Sequence, residues 1–271
     1  MRVSDVLIGA DPELFVLKNG SFISGHTFPC GTKENPRKTE FGAVQVDGLA
    51  LEFNVRPSAT KAEFVSNLQH VLRDLNAIVD EVDPGCILVA QPVAPFSMEF
   101  LNALPEHVKE LGCNPDFSAY SMSENVPPNA DTPFRTGSGH VHVGWTNGVL
   151  DGDIDHFIEC ASIVKQLDYY VGLHSLSFDP DSQRRELYGK AGCFRPKSYG
   201  VEYRTLSNKW VGDERLQGDV YDAVMRGLRA WEAGEILEDQ YPGFAERAIN
   251  TSDTAWMKSD AGRAIEGAIY A

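Results

Sequence analysis

The chain has 271 residues, 42% of them hydrophobic and 23% charged, which is enough to bury a sizeable core. Its net charge of −15 argues against nucleic-acid or membrane partners, because the surfaces that bind these are built from clustered Lys and Arg. No apolar run is long enough to span a bilayer, and the first residues show no signal-peptide pattern. The five cysteines form no CxxC pair, which predicts reduced thiols in a cytoplasmic protein.

The first part of the chain reads as two β-hairpins. Asn19-Gly20 separates the apolar runs of "ELFVLKNGSFISG", and Asp47-Gly48 separates those of "FGAVQVDGLALEFNV". Asn-Gly and Asp-Gly between alternating apolar residues are the strongest short-range hairpin signals. Both segments are therefore predicted to form antiparallel strand pairs.

Helices follow in the middle and at the end of the chain. "TKAEFVSNLQHVLRDLNAIVDEV" has a helical period behind a capping box of Thr60 and Glu63. "DIDHFIECASIVKQLDYYVGL" has the same period, with Ile154 and Ile158 on its predicted apolar face. "YGVEYRTLSN" returns to a strand, and helices are predicted from about residue 213 onward. The layout is α+β, with helices covering one face of an antiparallel sheet and the other face free for a site.

Four polar pairs at strand spacing interrupt these apolar segments. In a strand, residues two apart point to the same face, so each pair shares a face opposite its apolar neighbours. Carboxylates and imidazoles converging on one face would repel unless a cation lay among them, and this ligand set suits Mg²⁺ or Mn²⁺. An exposed polar sheet face is the alternative for any single pair. The pairs are Asp11 and Glu13, Glu52 and Asn54, His140 and His142, and Glu202 and Arg204.

A basic cluster lies between the last two predicted strands, in "DSQRRELYGKAGCFRPKSYGVEYR". The planar guanidinium of Arg and the ammonium of Lys both bind phosphate. Proteins hold nucleoside triphosphates between a divalent metal bound by carboxylates and guanidinium groups on the opposite side. A solvated loop is the alternative. The cluster consists of Arg184, Arg185, Lys190, Arg195, Lys197 and Arg204.

A long polar loop, "SENVPPNADTPFRTGSG" at 123–139, leads into the histidine strand. Long loops without regular structure tend to be functional. By position alone, this loop and Arg135 are assigned to the acid-binding or lid region, and Asn54 is assigned to substrate binding.

These motifs together resemble the glutamine synthetase-like carboxylate–amine ligases, or amidoligases, and most closely their phage branch. The similar segments, in chain order, are "IGADPELFV", "DGLALEFNV", "GCNPDFSAY", "GSGHVHVG", "RRELYGKAGCFRPK" and "GVEYRTLSN". The resemblance implies one amidoligase domain over 1–271, with motifs within 6–210 and a helical part at 213–271. It implies a curved antiparallel sheet forming a funnel, with metals at its narrow part and helices on its outer face.

The resemblance also implies a reaction. ATP phosphorylates a carboxylate, and an amine then displaces phosphate to give an amide, with Mg²⁺ or Mn²⁺ bound. Metal ligands are expected at Asp11, Glu13, Glu52, His142 and Glu202. Arg204, Arg195 and Arg185 are expected to act on the transferring phosphoryl group. ATP phosphates are expected at Arg184, Arg185, Lys190, Arg195, Lys197 and His140.

Several points stay open at the level of sequence. His140 and His142 both fit the ligand position, with His142 favoured. Asp47 is a candidate for a further acid, although its Asp-Gly setting favours a turn, so the number of metals is open. The identity of the acid and amine and the oligomeric state are open as well, with a phage-infected bacterial cytoplasm as the expected location.

Two other functions compete with ligation. A metal-dependent amidohydrolase also uses an HxH strand, but it needs further histidines and a barrel of β-α units. A non-catalytic phage protein on a ligase-like scaffold is the second alternative, against which the complete set of acids and arginines argues.

Overall fold

The computed structural model describes residues 1–109, 116–126 and 131–270, and it confirms the α+β class. Part of the "GCNPDFSAY" segment and of the 123–139 loop, together with Cys113, lies outside the described residues. The strands are β1 (Leu7–Lys18), β2 (Ser21–Ile23), β3 (Arg37–Lys38), β4 (Gly42–Asp47), β5 (Ala50–Val55), β6 (Cys86–Val89), β7 (Val93–Pro95), β8 (Phe117–Ser118), β9 (Ser123–Glu124), β10 (Phe134–Thr136), β11 (Gly139–Gly144), β12 (Cys193–Lys197) and β13 (Gly200–Tyr203).

Ten α-helical segments are found in the described part of the chain. They are α1 (Lys61–Val82), α2 (Met98–Ala103), α3 (Glu106–Lys109), α4 (Ile154–Leu167), α5 (Leu173–Ser175), α6 (Arg184–Leu187), α7 (Glu214–Glu232), α8 (Leu237–Gln240), α9 (Phe244–Asn250) and α10 (Asp260–Ile269). A π-helical turn, Asp168–Gly172, joins α4 to α5. None of the described helices is both long and apolar enough to cross a bilayer.

Eleven of the described strands form one open antiparallel sheet. Its main path runs β3-β4-β5-β1-β11-β13-β12-β8-β9, while β2 and β6 both pair with β1. The long strand β1 is therefore the centre of the sheet and contacts β11 and β5 through successive parts of its length. Strands β7 and β10 form a separate pair, so the 123–139 loop carries more regular structure than expected.

The helices cover the apolar face of this sheet. Helix α1 packs against β4, β5 and β6, α4 packs against β12 and β13, and α7 lies over both helices. Thr60 caps α1 as predicted, because its side chain accepts from the Glu63 amide. The strand residues on this face are almost fully buried: Ile8, Ala10 and Leu14 of β1, Leu51 and Phe53 of β5, Val141 and Val143 of β11, and Val201 and Tyr203 of β13.

Two local predictions are wrong. The second hairpin turns at Gly48-Leu49, because Asp47 still pairs with Ala50 as the last residue of β4. Leu49 is 3% exposed and packs in the cluster around Phe15, so the turn contains a buried apolar side chain instead of the polar Asp47. Ile154 and Ile158 of α4 are 64% and 50% exposed, so the buried stripe of that helix is narrower than predicted.

Candidate metal and phosphate site

The register of the sheet brings the polar pairs together on the face opposite the helices. Asp11 lies across from His140, and Glu13 lies across from Glu52. His142 lies across from Glu202, which in turn faces Arg195 on the next strand. Since side chains of paired residues point to the same face, one antiparallel sheet collects them in a single patch.

Two groups of three residues in this patch have the composition of metal sites. The first is Asp11, His142 and Glu202, and the second is Glu13, Asp47 and Glu52. Within each group the candidate ligand atoms lie within 4.8 Å of one another. Asp47 thus joins the site instead of serving only the turn, because β4 runs one residue further than the Asp-Gly signal indicates.

The first group is held in a geometry suited to a shared cation. Nε2 of His142 lies 3.0 Å from Oδ2 of Asp11, yet it makes no hydrogen bond to any described residue. Nδ1 of His142 is hydrogen-bonded to the Tyr199 hydroxyl. A histidine fixed through one ring nitrogen presents the other as a ligand, which is the usual outer-shell arrangement of metal sites.

Charge in the first group is largely balanced. Burial opposes ionisation of Asp11, but His142 and His140 hold the pKa of its carboxyl well below the ordinary value. Burial and Asp11 also oppose ionisation of Glu202, but Arg204 and the two histidines lower the pKa of Glu202 to about 2. Both carboxylates are therefore ionised and able to act as ligands at neutral pH.

The second group lacks such compensation. Burial and the Asp47 carboxylate raise the pKa of Glu13 to about 7. Burial and then Asp11, Asp47 and Glu13 raise the pKa of Glu52 well above its ordinary value. Lys33, 2.9 Å from Asp47, is the cation paired with this group among the described residues. Three half-buried acids that repel one another fit a bound divalent cation, which would favour their ionised forms.

Arg204 connects Glu202 of the first group to Asp116, which directly precedes β8. Its Nε donates to Asp116 at 3.2 Å, and its Nη1 donates to Glu202. His140 also approaches the guanidinium, with Nδ1 3.4 Å from Nη1 of Arg204. Burial and Arg204 lower the pKa of His140, so its ring is neutral near pH 7 and can accept from the guanidinium.

Arg195 and Lys197 complete the positive wall around Glu202. Nη1 of Arg195 lies 3.3 Å from Glu202, and Nζ of Lys197 lies 2.8 Å from it. Both project from β12 beside the Glu202 strand. The structure therefore brings Arg195, Lys197, Arg204 and His140 together around Glu202, and their role in binding phosphate stays a prediction.

The other three members of the basic cluster are not at the site, which corrects their predicted roles. Arg184 is fully buried and donates to the carbonyls of Thr205 and Leu206 at 2.8 and 2.7 Å. Arg185 donates to the Asp181 carbonyl and to Ser252, and the Lys190 side chain is exposed away from both site cavities. The clustering of Arg and Lys in the sequence does not show which of these side chains donate hydrogen bonds to backbone carbonyls inside the fold.

Two cavities meet at the metal groups. One, of about 420 Å³, is lined by the second group together with Arg135, Arg195, Arg204 and His140. The other, of about 700 Å³, is lined by Asn54, His142 and Tyr199 along with apolar and aromatic residues such as Trp145. Asp11 and Glu52 line both. The cavities are called the acid cavity and the aromatic cavity below.

The "GSG" before His140 has a packing role. Gly139 is pressed against the segment after β13, where Trp210 donates to its carbonyl at 3.1 Å. A Cβ on Gly139 would lie 2.4 Å from the Ser207 carbonyl oxygen, so only glycine allows this approach. The Ser138 amide donates to Glu13 at 2.9 Å, so the lead-in also holds a candidate ligand.

Asp168 supports the strand that carries Glu202 and Arg204 from behind. This fully buried residue of the π-helical turn accepts from Tyr203 at 2.7 Å and from Thr205 at 3.1 Å. Tyr120, at the tip of the β8–β9 hairpin, donates to the same carboxylate at 3.1 Å. Asp168 therefore ties β13 to the hairpin that provides Asp116 to Arg204, a connection that sequence spacing does not show.

Replacing Asp168 by alanine is expected to lower the free energy of unfolding by about 2–5 kcal/mol, since the hydroxyls of Tyr203, Thr205 and Tyr120 each lose a hydrogen bond to its carboxylate. Urea unfolding followed by circular dichroism measures the change. The matched control is Asp222→Ala, which removes an exposed salt bridge to Lys61 and should cost less than about 1 kcal/mol. Equal effects of the two substitutions would contradict the supporting role of Asp168.

Comparison with models of known protein families bears on the function of this site. Residues 121–224 match the family model described as Phage phiEco32-like COOH.NH2 ligase-type 2. The predicted resemblance to phage-type carboxylate–amine ligases is thereby confirmed, and the match supports carboxylate–amine ligation as the general activity. The matched region includes both histidines, Glu202 and Arg204, whereas the acids of β1, β4 and β5 precede it. A comparison with curated proteins found no match.

Proposed function

We propose that this protein is an ATP-dependent, ADP-forming carboxylate–amine ligase that uses Mg²⁺ or Mn²⁺ and an acyl-phosphate intermediate. The observation that carries the proposal is the meeting of two acidic ligand groups with Arg204 and Arg195 at the junction of two cavities. The family match supports ligation in general terms, and the charge arrangement supports phosphoryl transfer as its means.

Two cation sites are proposed from the two groups. Asp11, His142 and Glu202 would hold one ion, and the acids Glu13, Asp47 and Glu52 would hold another. Bound divalent cations would neutralise phosphate oxygens and make the γ-phosphorus more electrophilic. Oxygen ligands with a single imidazole suit Mg²⁺ or Mn²⁺ better than structural zinc.

Arg204 is proposed to stabilise the charge of the transferring phosphoryl group. Although burial disfavours its charged form, Glu202 and Asp116 raise the pKa of Arg204 above the ordinary value, so it stays protonated. The same two carboxylates fix its planar fork, which costs no reorganisation when charge develops nearby. Arg195, on the neighbouring strand, is proposed to assist from the acid cavity.

The aromatic cavity is proposed to receive the nucleoside of ATP and the acid cavity the carboxylate and amine. Trp145, Tyr199 and Leu7 give the first an apolar wall beside His142, which suits a base and ribose. In the acid cavity, a carboxylate oxygen would bond to the γ-phosphorus as the bond to the leaving ADP breaks. The amine would then bond to the acyl carbon as inorganic phosphate leaves.

Screening ADP release across acid and amine pairs tests the proposal, with hydroxylamine as a trap for acyl phosphate. Formation of hydroxamate in step with ADP is the expected result. Two alternatives give other outcomes. Zinc-dependent amide cleavage without ATP would indicate a hydrolase, against which the open antiparallel sheet argues because such enzymes use β-α barrels. Absence of ATP binding in calorimetry with Mg²⁺ would indicate a non-catalytic protein.

The pKa values in the second group make a further prediction about metal affinity. Because Glu13 has a pKa of about 7, a metal ion must displace its proton below that pH. Mn²⁺ affinity should therefore rise by about tenfold or more between pH 6 and pH 8. Calorimetry in buffers of different ionisation enthalpy should show proton release that grows as pH falls.

The same acids set the stability of the metal-free protein. Glu13 and Glu52 bind protons more tightly folded than unfolded, so stability is present at mildly acidic pH and falls as pH rises through about 7. Saturating Mg²⁺ should remove this decline. Glu34→Gln, at an exposed rim position outside the metal groups, is the control and should leave both effects intact. Mn²⁺ affinity independent of pH would rule out this second site.

A further inference from the structure

Two donor atoms in the wall of the acid cavity, Nε of Arg135 and the hydroxyl oxygen of Tyr188, lack hydrogen-bond partners within the described residues. Arg135 is 5% exposed, and its Nη1 donates to the carbonyls of Thr132 and Phe134 at 3.0 and 2.9 Å. Its Nε is buried without a described hydrogen-bond partner. The hydroxyl of Tyr188 is likewise buried without a described partner. Buried donors and buried cations are costly unless an acceptor or an anion satisfies them.

The two groups face a common space. Both line the acid cavity. Burial lowers the pKa of Arg135, whereas Tyr188 and then Asp131 raise it. A carboxylate between them would accept from the guanidinium and from the hydroxyl together.

The surrounding structure fixes both donors in position. Arg135 lies on β10, which is paired with β7, and its Nη1 is tied to the backbone beside it. Tyr188 follows α6 and precedes Gly189, whose φ of +77° and contact with Arg184 exclude any other residue. A Cβ at Gly189 would lie 1.7 Å from Nη1 of Arg184. The buried Arg184 thus shapes the turn that presents the Tyr188 hydroxyl.

These donors are separate from the groups assigned to phosphoryl transfer. Arg204 is bound to Asp116 and Glu202, and Arg195 contacts Glu202. Arg135 contacts neither Asp116 nor Glu202 among the described residues, and its Nε has no acceptor there. The apolar side chains of Phe15, Leu49 and Ala50 line the same cavity and suit a short methylene chain.

We propose that Arg135 and Tyr188 form a subsite for a substrate carboxylate that is not the one activated. This inference rests on the proposed ligase function. It identifies the substrate class as small molecules with a second carboxylate. That carboxylate belongs either to a dicarboxylic acid that is activated at its other end or to an amino acid that serves as the amine.

The first test asks, in the protein without ligand, whether the Tyr188 hydroxyl lacks a hydrogen-bond partner, and it measures melting temperatures. Tyr188→Phe should leave the melting temperature unchanged or raised, because no described hydrogen bond is lost. Tyr203→Phe, which loses the bond to Asp168, is the matched comparison and should lower it. A decrease for Tyr188→Phe as large as that for Tyr203→Phe would overturn the proposal.

Kinetics with Arg135→Gln and Tyr188→Phe then identify the source of the carboxylate. In the acid arm, hydroxylamine is the amine, and succinate and glutarate are compared with butyrate and pentanoate. In the amine arm, the acid is held fixed and glycine is compared with methylamine. The KM of the carboxylate-bearing partner should rise about tenfold or more, as for loss of a charge-assisted hydrogen bond, with kcat nearly unchanged.

Controls separate this subsite from general damage and from the proposed function. Arg73→Gln, at an exposed position of α1, should change neither KM. An active enzyme in which both variants keep the wild-type KM in both arms would overturn the proposal while leaving ligation intact. If the wild type forms no hydroxamate, the ligase function fails, and thermal shifts in Mn²⁺ decide the subsite. Succinate, glutarate or glycine must then raise the melting temperature of the wild type more than that of Arg135→Gln. An equal rise in both proteins would overturn the proposed subsite.

Discussion

Replacing Glu202 by alanine is expected to reduce ATP-dependent amide formation more than about a hundredfold, since even the outer-shell partners of metal ligands are worth about 10–100-fold. Glu202 is 1% exposed and lies at the meeting point of His142, Arg204 and Lys197. Glu13→Ala should have a comparable effect through the second ligand group. Hydroxamate formation under saturating ATP and Mg²⁺ measures both losses.

The Glu202 result needs a fold control, because the substitution removes a carboxylate that contacts Arg195, Lys197 and Arg204. Glu202→Gln keeps the shape and one acceptor, so its melting temperature separates lost chemistry from lost folding. Glu81→Ala, at an exposed position of α1, should be fully active. Near-wild-type activity in either Glu13→Ala or Glu202→Ala would show that the metal assignment is wrong.

Arg204→Lys is expected to lower kcat by about 10²–10³-fold, the cost of removing one preorganised donor to developing charge. Lysine keeps the charge but is a point charge on a flexible stem, so it cannot hold Asp116 and Glu202 with one rigid fork. Mn²⁺ affinity should change little, because Arg204 is not in either ligand group.

The matched comparison is Arg215→Lys, the same substitution at an exposed position of α7, which should leave kcat unchanged. A mild effect of Arg204→Lys, within about threefold of that control, would remove Arg204 from the chemistry. A severe effect accompanied by loss of Mn²⁺ binding would instead indicate that Arg204 acts by holding Glu202 in place.

Much of the site was predictable because the alternation of polar and apolar residues in the sequence predicts which side chains share one face of a strand. Residues two apart on β1, β5 and β11 must share a face, and the tight hairpins require antiparallel neighbours. The spacing could not give the register, such as Glu13 opposite Glu52 or His142 opposite Glu202. Register depends on the burial of the opposite face, which only the assembled sheet determines.

For Asp47, the Asp-Gly turn preference correctly predicts a hairpin but wrongly predicts that Asp47 serves only as a turn residue. Asp-Gly predicted a turn, and a turn is present, but one residue later, because Leu49 is buried below it. The alternation of "VQVD" predicts that Gln45 and Asp47 share one face of β4. Because Gln45 pairs with Glu52, that face is the one on which Glu52 lies. Tertiary burial overrode the turn preference.

The arginines show the opposite limit. Six basic residues in one segment predicted a single phosphate site, but Arg184 and Arg185 satisfy carbonyls and a hydroxyl inside the fold. Asp116 and Asp168, by contrast, had no pairing signal, because their partners are 88 and 35 positions away. Long-range polar contacts of this kind follow from packing and have no period in the sequence.

The most direct test of the central claim follows oxygen from the acid substrate. An acid labelled with ¹⁸O in its carboxylate is incubated with the protein, ATP, Mg²⁺ and hydroxylamine, and the phosphate products are examined by mass spectrometry. An acyl-phosphate route predicts one ¹⁸O atom transferred to inorganic phosphate for each hydroxamate formed, and its loss in Glu202→Ala. Label appearing in AMP, or hydroxamate formed without labelled phosphate, would contradict the proposed ligase.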